Sequence, residues 1–219
     1  MRIGVLGGTF DPIHYGHLRP AQEVLRALAL SEIRLIPAAN PPHRPPPVAG
    51  AEHRLKMVEL AAAEFPGFRV DDREFRRGGP SYTVPTLESL RAELGEVPLC
   101  LLMGTDAFAG IETWHEWRRL PELAHFVVMT RPGWPFPETP VLPEWARRRV
   151  SRDAAGLARS PAGGIYFQPV TPQDVSATGI RRRIARGESV EGFLPSAVRD
   201  YIRAHGIYST EVTDAQKKR

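Results

Sequence analysis

The chain is poor in cysteine, in lysine and in long apolar runs, and each shortage excludes something. A single cysteine, Cys100, among 219 residues excludes an intramolecular disulfide and a thiolate zinc cluster. It lies in the apolar run 99–103 and reads as a core residue, not a nucleophile. No stretch approaches the roughly 20 apolar residues of a membrane span. The first apolar run breaks at Gly7-Gly8, too early for a secretory leader, so a cytoplasmic protein without a membrane partner is expected. Lysine occurs only as Lys56, Lys217 and Lys218, so nearly all of the 29 basic residues are arginine. Arginine's planar fork suits phosphate and carboxylate, although a general compositional preference for arginine explains the excess as well. The net charge of +4 fits an anionic substrate or nucleic acid without separating them.

What is present is ordinary for a globular protein: 42% hydrophobic and 25% charged residues. The length suits one domain over 1–208, with a C-terminal helical part near 176–208 and a polar, disordered tail at 209–219. Short apolar runs at 2–6, 33–36, 68–71, 99–103, 125–129 and 165–168 read as strands. Helical spacing appears at 15–29, 51–64, 84–94 and 116–123, and more weakly at 143–150. One further helix is expected to start near Thr178 and another to run from Pro195 to Gly206. Strands alternating with helices imply an α/β fold, its mostly parallel sheet covered on both faces, with ligands beyond the C-terminal strand ends. Residues 40–47, dense in proline, should form a stiff loop at that edge, and 132–164 an irregular excursion.

The strongest signal is Gly7-Gly-Thr-Phe-Asp-Pro-Ile-His-Tyr-Gly-His17. It joins the first strand to the first helix. Gly7 and Gly8 let backbone approach a ligand, and the helix N-terminus offers N–H groups to an anion. His14 and His17, at i and i+3, share one face and can reach one polyphosphate. Beside such an anion, a histidine near its ordinary pKa of about 6.5 would gain a proton. The two rings could instead only cap or pack, or form half of a metal site, although no third ligand is evident. A second motif, Ser176-Ala-Thr-Gly-Ile-Arg181, opens a later helix. Ser176 or Thr178 can cap it, and Arg181 can grip a phosphate.

The first string matches in full the HxGH signature of the nucleotidylyltransferase superfamily, which it resembles. The second resembles that superfamily's Ser-Ser/Thr-x-x-Ile-Arg signature, with Ala177 in place of the middle hydroxyl. Further segments are similar to the nicotinate mononucleotide adenylyltransferases: Asn40-Pro-Pro-His-Arg44 with Arg54-Leu-x-Met57, Ser81-Tyr-Thr83, Met103-Gly-Thr-Asp106, Trp114-His-x-Trp117, Thr130-Arg-Pro-Gly133, Pro195-x-x-Val198-x-x-Tyr201, and Ile207-Tyr208. The likeness spans 1–208 in order. It implies a Rossmann-like, doubly wound fold and transfer of the adenylyl group of ATP to nicotinate mononucleotide, with Mg2+ bound to ATP. By that resemblance His14, His17 and Arg181 are catalytic. Gly8, Thr9, Phe10, Gly104, Asp106, Ser176 and Thr178 join them around ATP, with Asp106 reaching the metal through water. His43, Arg44, Thr83, Trp114 and Arg131 hold the mononucleotide, Trp114 by stacking on the pyridine. Arg44 stands where the family commonly has lysine. A homo-oligomer is left open.

Rival readings are other superfamily members, acting on nicotinamide mononucleotide, phosphopantetheine or CTP-linked substrates. An aminoacyl-tRNA synthetase fragment lacks its Lys-Met-Ser-Lys-Ser partner here. A nucleic-acid-binding module is suggested only by the basic charge, so no nucleic-acid partner is expected.

Overall fold

The computed structural model describes residues 1–42, 45–130 and 142–209. In chain order its elements are β1 (Ile3–Gly8), α1 (Tyr15–Ala27), β2 (Glu32–Pro37), α2 (Ala51–Ala63), β3 (Phe68–Val70), α3 (Arg73–Arg77), α4 (Thr83–Leu94), β4 (Leu99–Gly104), α5 (Thr105–Ala109), α6 (Leu120–Leu123), β5 (His125–Thr130), α7 (Glu144–Arg147), β6 (Ile165–Pro169), α8 (Ala177–Ala185) and α9 (Ser196–Ala204). All six expected strands are present, with ends shifted by one or two residues. They form one sheet in the order β3-β2-β1-β4-β5-β6, and every neighbouring pair is parallel. The chain winds outward from β1 to β3, then returns to lay β4 on the other side of β1. That reversal is the topological switch point of a doubly wound, Rossmann-like sheet. The register pairing Val5 with Leu101 brings Gly8 and Gly104 to the same sheet edge.

Side chains alternate across the sheet, as the period of two requires. On β4, Leu99, Leu101 and Met103 join one core cluster, while Cys100 and Leu102 join the other. Helices cover both faces, so the central strands β1, β4 and β5 are apolar on both sides, whereas β2 and β3 carry Glu32, Arg34 and Arg69 on one face. Burial pushes the Cys100 thiol up to about 12, which removes it from any nucleophilic role.

Three expectations change. The helix expected at 116–123 is instead a 3-10 turn, Trp117–Arg119, followed by the short α6. Pro121 has no N–H to give the Trp117 carbonyl, so an α-helix cannot run through from 116, and Glu116 turns left-handed at φ 51°. The weak pattern at 143–150 yields only α7. The described part of the excursion is ordered: Asp153 caps a 3-10 helix, Ala154–Ala158, accepting from the Gly156 N–H at 2.7 Å. Near the end, α8 starts at Ala177, and α9 runs from Ser196 with Pro195 just outside it. Gly206, at φ 59°, turns the chain after α9. The five-residue helices α3 and α5 carry too little sequence to show a periodic stripe. The expected tail lies outside the described residues from 210 on.

Candidate active site

The loop from β1 to α1 is shaped by its own side chains. Gly8 is obligatory because a Cβ there would lie 2.8 Å from the Phe10 ring. Phe10 adopts φ 49° and sets its ring edge-on against His17, centroids 5.2 Å apart. His14 is the N-cap of α1, and its Nδ1 accepts from the Gly16 N–H at 3.1 Å. His17 Nδ1 accepts in turn from the His14 N–H at 3.3 Å, closing a reciprocal capping box built from imidazoles. Gly16 has no room for a side chain, since a Cβ would meet the His14 ring and Val175 at 2.9 Å.

This box determines the chemistry of both rings. A ring nitrogen that accepts an N–H carries a lone pair, so the proton sits on the other nitrogen. Both histidines therefore present Nε2–H donors. The rings stack with centroids 3.8 Å apart at 29°. Capping and function are not rivals here, because the cap selects the tautomer. The expectation of open N–H groups at this helix end is corrected. The Tyr15 N–H goes to the Phe193 carbonyl, that of Gly16 to His14, and that of His17 to the His14 carbonyl. The imidazoles take over as the donors at this end.

The protonation expectation also changes. Burial pushes His14 down to about 4 from its ordinary 6.5, so it is neutral at physiological pH. A proton on Nδ1 would also oppose the Gly16 N–H. Between pH 6.5 and about 4 the unfolded chain binds a proton at this position that the folded chain refuses. Stability is thus full above pH 6.5 and falls as pH drops, by about 3 kcal/mol from His14 at the bottom of that window. His125, lowered by burial and only partly restored by its bond to the Ser160 carbonyl, acts in the same direction. Urea unfolding at several pH values should show this slope. His14→Asn, which keeps a good N-cap but does not titrate, should flatten it; equal slopes in the two proteins would refute the assignment.

A second group of residues locks the loop to the rest of the fold. Arg54, 1% exposed, donates to the Thr9 carbonyl at 2.8 Å, to that of Ala39 at 3.0 Å and to that of Ala38. It thereby ties the ends of β1 and β2 together. The Asp11 carboxylate accepts the Val48 N–H at 2.8 Å, the Ala49 N–H at 3.0 Å and the Tyr208 hydroxyl at 2.7 Å. From α8, Arg181 donates to the Asp11 backbone carbonyl at 2.6 Å and to Thr178 Oγ1 at 3.3 Å. Ser176, not Thr178, caps α8 through the Gly179 N–H at 3.1 Å. Of the sequence-derived residues, Gly8, Thr9, Phe10, His14, His17, Thr178 and Arg181 are thus brought around one loop, with Ser176 at the start of α8. Asp11, Arg54 and Tyr208 were missing from that set. The signal for Arg54 was a cation opening the apolar stripe Met57, Val58, Ala61 on α2.

The remaining site residues line the same edge. Gly104 ends β4, and a Cβ on it would lie 2.7 Å from the exposed Asp106 carboxylate at the start of α5. Thr83 opens α4, and half-buried Trp114 follows the 3-10 turn Ile111–Thr113, packed against the core. The two segments meet where Tyr82 stacks on His115 at 4.1 Å. The post-β2 loop joins them through reciprocal Asn40–Ser81 bonds, both 2.9 Å. Trp117 and Trp145 pack together at 5.2 Å. His43, Arg44 and Arg131 lie outside the described residues. Among the described residues no three His, Cys, Asp or Glu converge into a metal cage, and no helix is long and apolar enough to cross a membrane.

A doubly wound sheet with paired imidazole donors at its switch point and an arginine beside them defines a nucleotide-handling α/β protein. The family model described as cytidylyltransferase-like matches residues 5–183. A "Probable nicotinate-nucleotide adenylyltransferase" of Halorhodospira halophila is 55% identical over 206 residues, covering 94% of each chain. One of the same name from Methylococcus capsulatus is 48% identical over 208 residues, covering 94% of this chain and 99% of its own. The chain belongs to the cytidylyltransferase-like family, in its nicotinate-nucleotide adenylyltransferase branch. In fold it is similar to the Plasmodium falciparum nicotinic acid mononucleotide adenylyltransferase solved with NaAD, with TM-score 0.72, 16% identity, and 94% and 97% of the two chains covered.

Proposed function

We propose that this protein transfers the adenylyl group of ATP to nicotinate mononucleotide, releasing pyrophosphate and forming deamido-NAD. The observation that carries the reading is the stacked His14–His17 pair, each ring accepting a backbone N–H at Nδ1 and so holding its proton on Nε2, with Arg181 on the same loop. A phosphate oxygen of the mononucleotide attacks the α-phosphorus of ATP. A new P–O bond forms as the bond to the pyrophosphate oxygen breaks, and no covalent enzyme intermediate is needed. Charge builds on the phosphoryl oxygens, so the task is positioning and electrostatic stabilisation. His14, kept neutral by its burial, and His17 donate to those oxygens through Nε2–H. Arg181 and the Ala177 and Thr178 N–H groups at the start of α8 receive the pyrophosphate end, with the Ser176 and Thr178 hydroxyls beside them. Gly8, Thr9, Phe10, Gly104 and Asp106 surround the nucleotide. Thr83 and Trp114 take the mononucleotide, together with His43, Arg44 and Arg131.

Mg2+ accompanies ATP and neutralises part of the triphosphate charge when bound. The donor set suits a cation carried by phosphates and water, with exposed Asp106 as the nearby carboxylate. The reading takes 1–208 as one catalytic domain and needs neither nucleic acid nor a membrane.

A paired assay tests it. With Mg2+ and ATP, nicotinate mononucleotide should yield dinucleotide and pyrophosphate, and nicotinamide mononucleotide far less. Equal use of both would overturn the acid specificity, and no product from either would overturn the activity.

A further inference from the structure

Trp114 stands between two 3-10 turns, Ile111–Thr113 before it and Trp117–Arg119 after it. Its own backbone joins them. Its N–H donates to the Ile111 carbonyl at 3.0 Å, and its carbonyl accepts the Trp117 N–H at 3.2 Å. Turns this short have few hydrogen bonds of their own, so outside contacts decide how firmly they sit. One side chain, Trp145 on α7, reaches both. Its Nε1–H donates to Glu112 Oε1 at 2.7 Å, across 33 residues of sequence. Its ring packs on that of Trp117, with centroids 5.2 Å apart at 51°. Phe108 and Phe126, each at 6.2 Å between centroids, seat the half-buried indole on the core. An indole has one proton to donate and none to spare, and Glu112 takes it.

We propose that Trp145 is a positioning residue for the mononucleotide: its indole braces the turns before and after Trp114 and so fixes the ring on which the pyridine stacks. The inference rests on the proposed role of Trp114. Stacking depends on the tilt and offset of two rings, so a platform that rocks loses affinity even though it is present. The two contacts suit that task. One is a directional hydrogen bond and the other an apolar wedge, and they act on opposite sides of Trp114. A third hold is independent of Trp145: His115 stacks on Tyr82 at 4.1 Å, beside Thr83. The groups assigned to the triphosphate stand on other elements, His17 on α1 and Arg181 on α8. Loosening the brace should therefore be felt by one substrate and not by the other.

The test begins with Trp145→Phe, which removes the N–H and keeps an aromatic ring against Phe108 and Phe126. KM for nicotinate mononucleotide should rise roughly fivefold, while kcat and KM for ATP stay within about twofold. Glu112→Ala removes the same bond from its exposed end and should raise that KM to a similar extent. Glu112→Gln keeps an acceptor oxygen and should stay close to wild type. Joining Trp145→Phe to Glu112→Ala should add little, because both break one bond. In a Trp114→Ala background Trp145→Phe should leave KM for the mononucleotide unchanged, because it acts through that ring. All assays are run well below each variant's melting midpoint. A KM unmoved by Trp145→Phe or by Glu112→Ala, both substrates' KM values rising together, or a full-sized effect persisting without Trp114 would each overturn the proposal. Should the Phe variant not fold, Glu112→Ala is read by the same criteria. Wild-type protein and Trp114→Ala run alongside separate the levels. A KM raised by Trp114→Ala but by neither brace variant sinks this inference alone. A KM unmoved by Trp114→Ala sinks the placement of the pyridine beneath it, and no wild-type turnover sinks the catalytic reading itself.

Discussion

His17→Ala is expected to lower kcat by roughly 10²–10³, the cost of removing one preorganised donor from a charged transition state. KM should change much less, because the donor is worth most where charge has built up. The side chain has a second task that must be separated from the first. His17 Nδ1 accepts the His14 N–H and its ring meets the edge of Phe10, so alanine also opens the capping box. That loss costs about 1 kcal/mol of stability. His17→Gln resolves the two effects. A glutamine at this position of a capping box can accept the same backbone N–H but offers no imidazole Nε2–H. The Gln variant should melt close to wild type and remain as slow as the Ala variant. Pyrophosphate release with saturating substrates, beside a thermal melt, measures both. Turnover restored in the Gln variant would reduce His17 to a cap.

Arg54→Met should be the most destabilising of these substitutions. Methionine matches the length of the stem, yet it leaves the Thr9, Ala38 and Ala39 carbonyls without their donor. Each half-buried carbonyl left without its donor costs about 1 kcal/mol or more. Three together imply a loss of about 3 kcal/mol or more, or roughly 6–12 °C in melting temperature for a chain of this size. Asp11 also loses a nearby positive charge, since Arg54 and Asp11 interact electrostatically. Because those carbonyls belong to the ends of β1 and β2, activity should fall even at temperatures where the variant is folded. Chemical denaturation gives the stability, and kcat/KM measured in the cold gives the activity. A loss below about 1 kcal/mol would mean that water replaces the guanidinium and that the clamp is dispensable.

The readability of the site follows the range of its interactions. The six strands and the helices α1, α2 and α4 were visible because apolar period and turn chemistry are local. The histidine pair was visible for the same reason, since i and i+3 on a helix share a face wherever the helix ends up. The capping box was not recognised, because imidazoles stand where Ser or Thr and Glu or Gln are usual. The split at 116–123 was legible in principle: Pro121 was printed in the sequence, and its missing N–H decides the outcome.

Sequence by itself determined the α/β order, the histidine-bearing loop after β1, the second motif that ends in Arg181 and the family to which they point. Only the tertiary structure decided which donors in that loop are already taken. It assigned the Tyr15 N–H to the Phe193 carbonyl, set three donors on the Asp11 carboxylate, placed Arg181 on the Asp11 carbonyl, and buried Arg54 on three carbonyls. It also brought the Tyr208 hydroxyl to the Asp11 carboxylate. These outcomes depend on contacts between residues 37, 38, 45, 170 and 197 apart, made only when the sheet closes. A hydrogen-bond donor has one proton to give, and chain closure, not local pattern, determines where it goes.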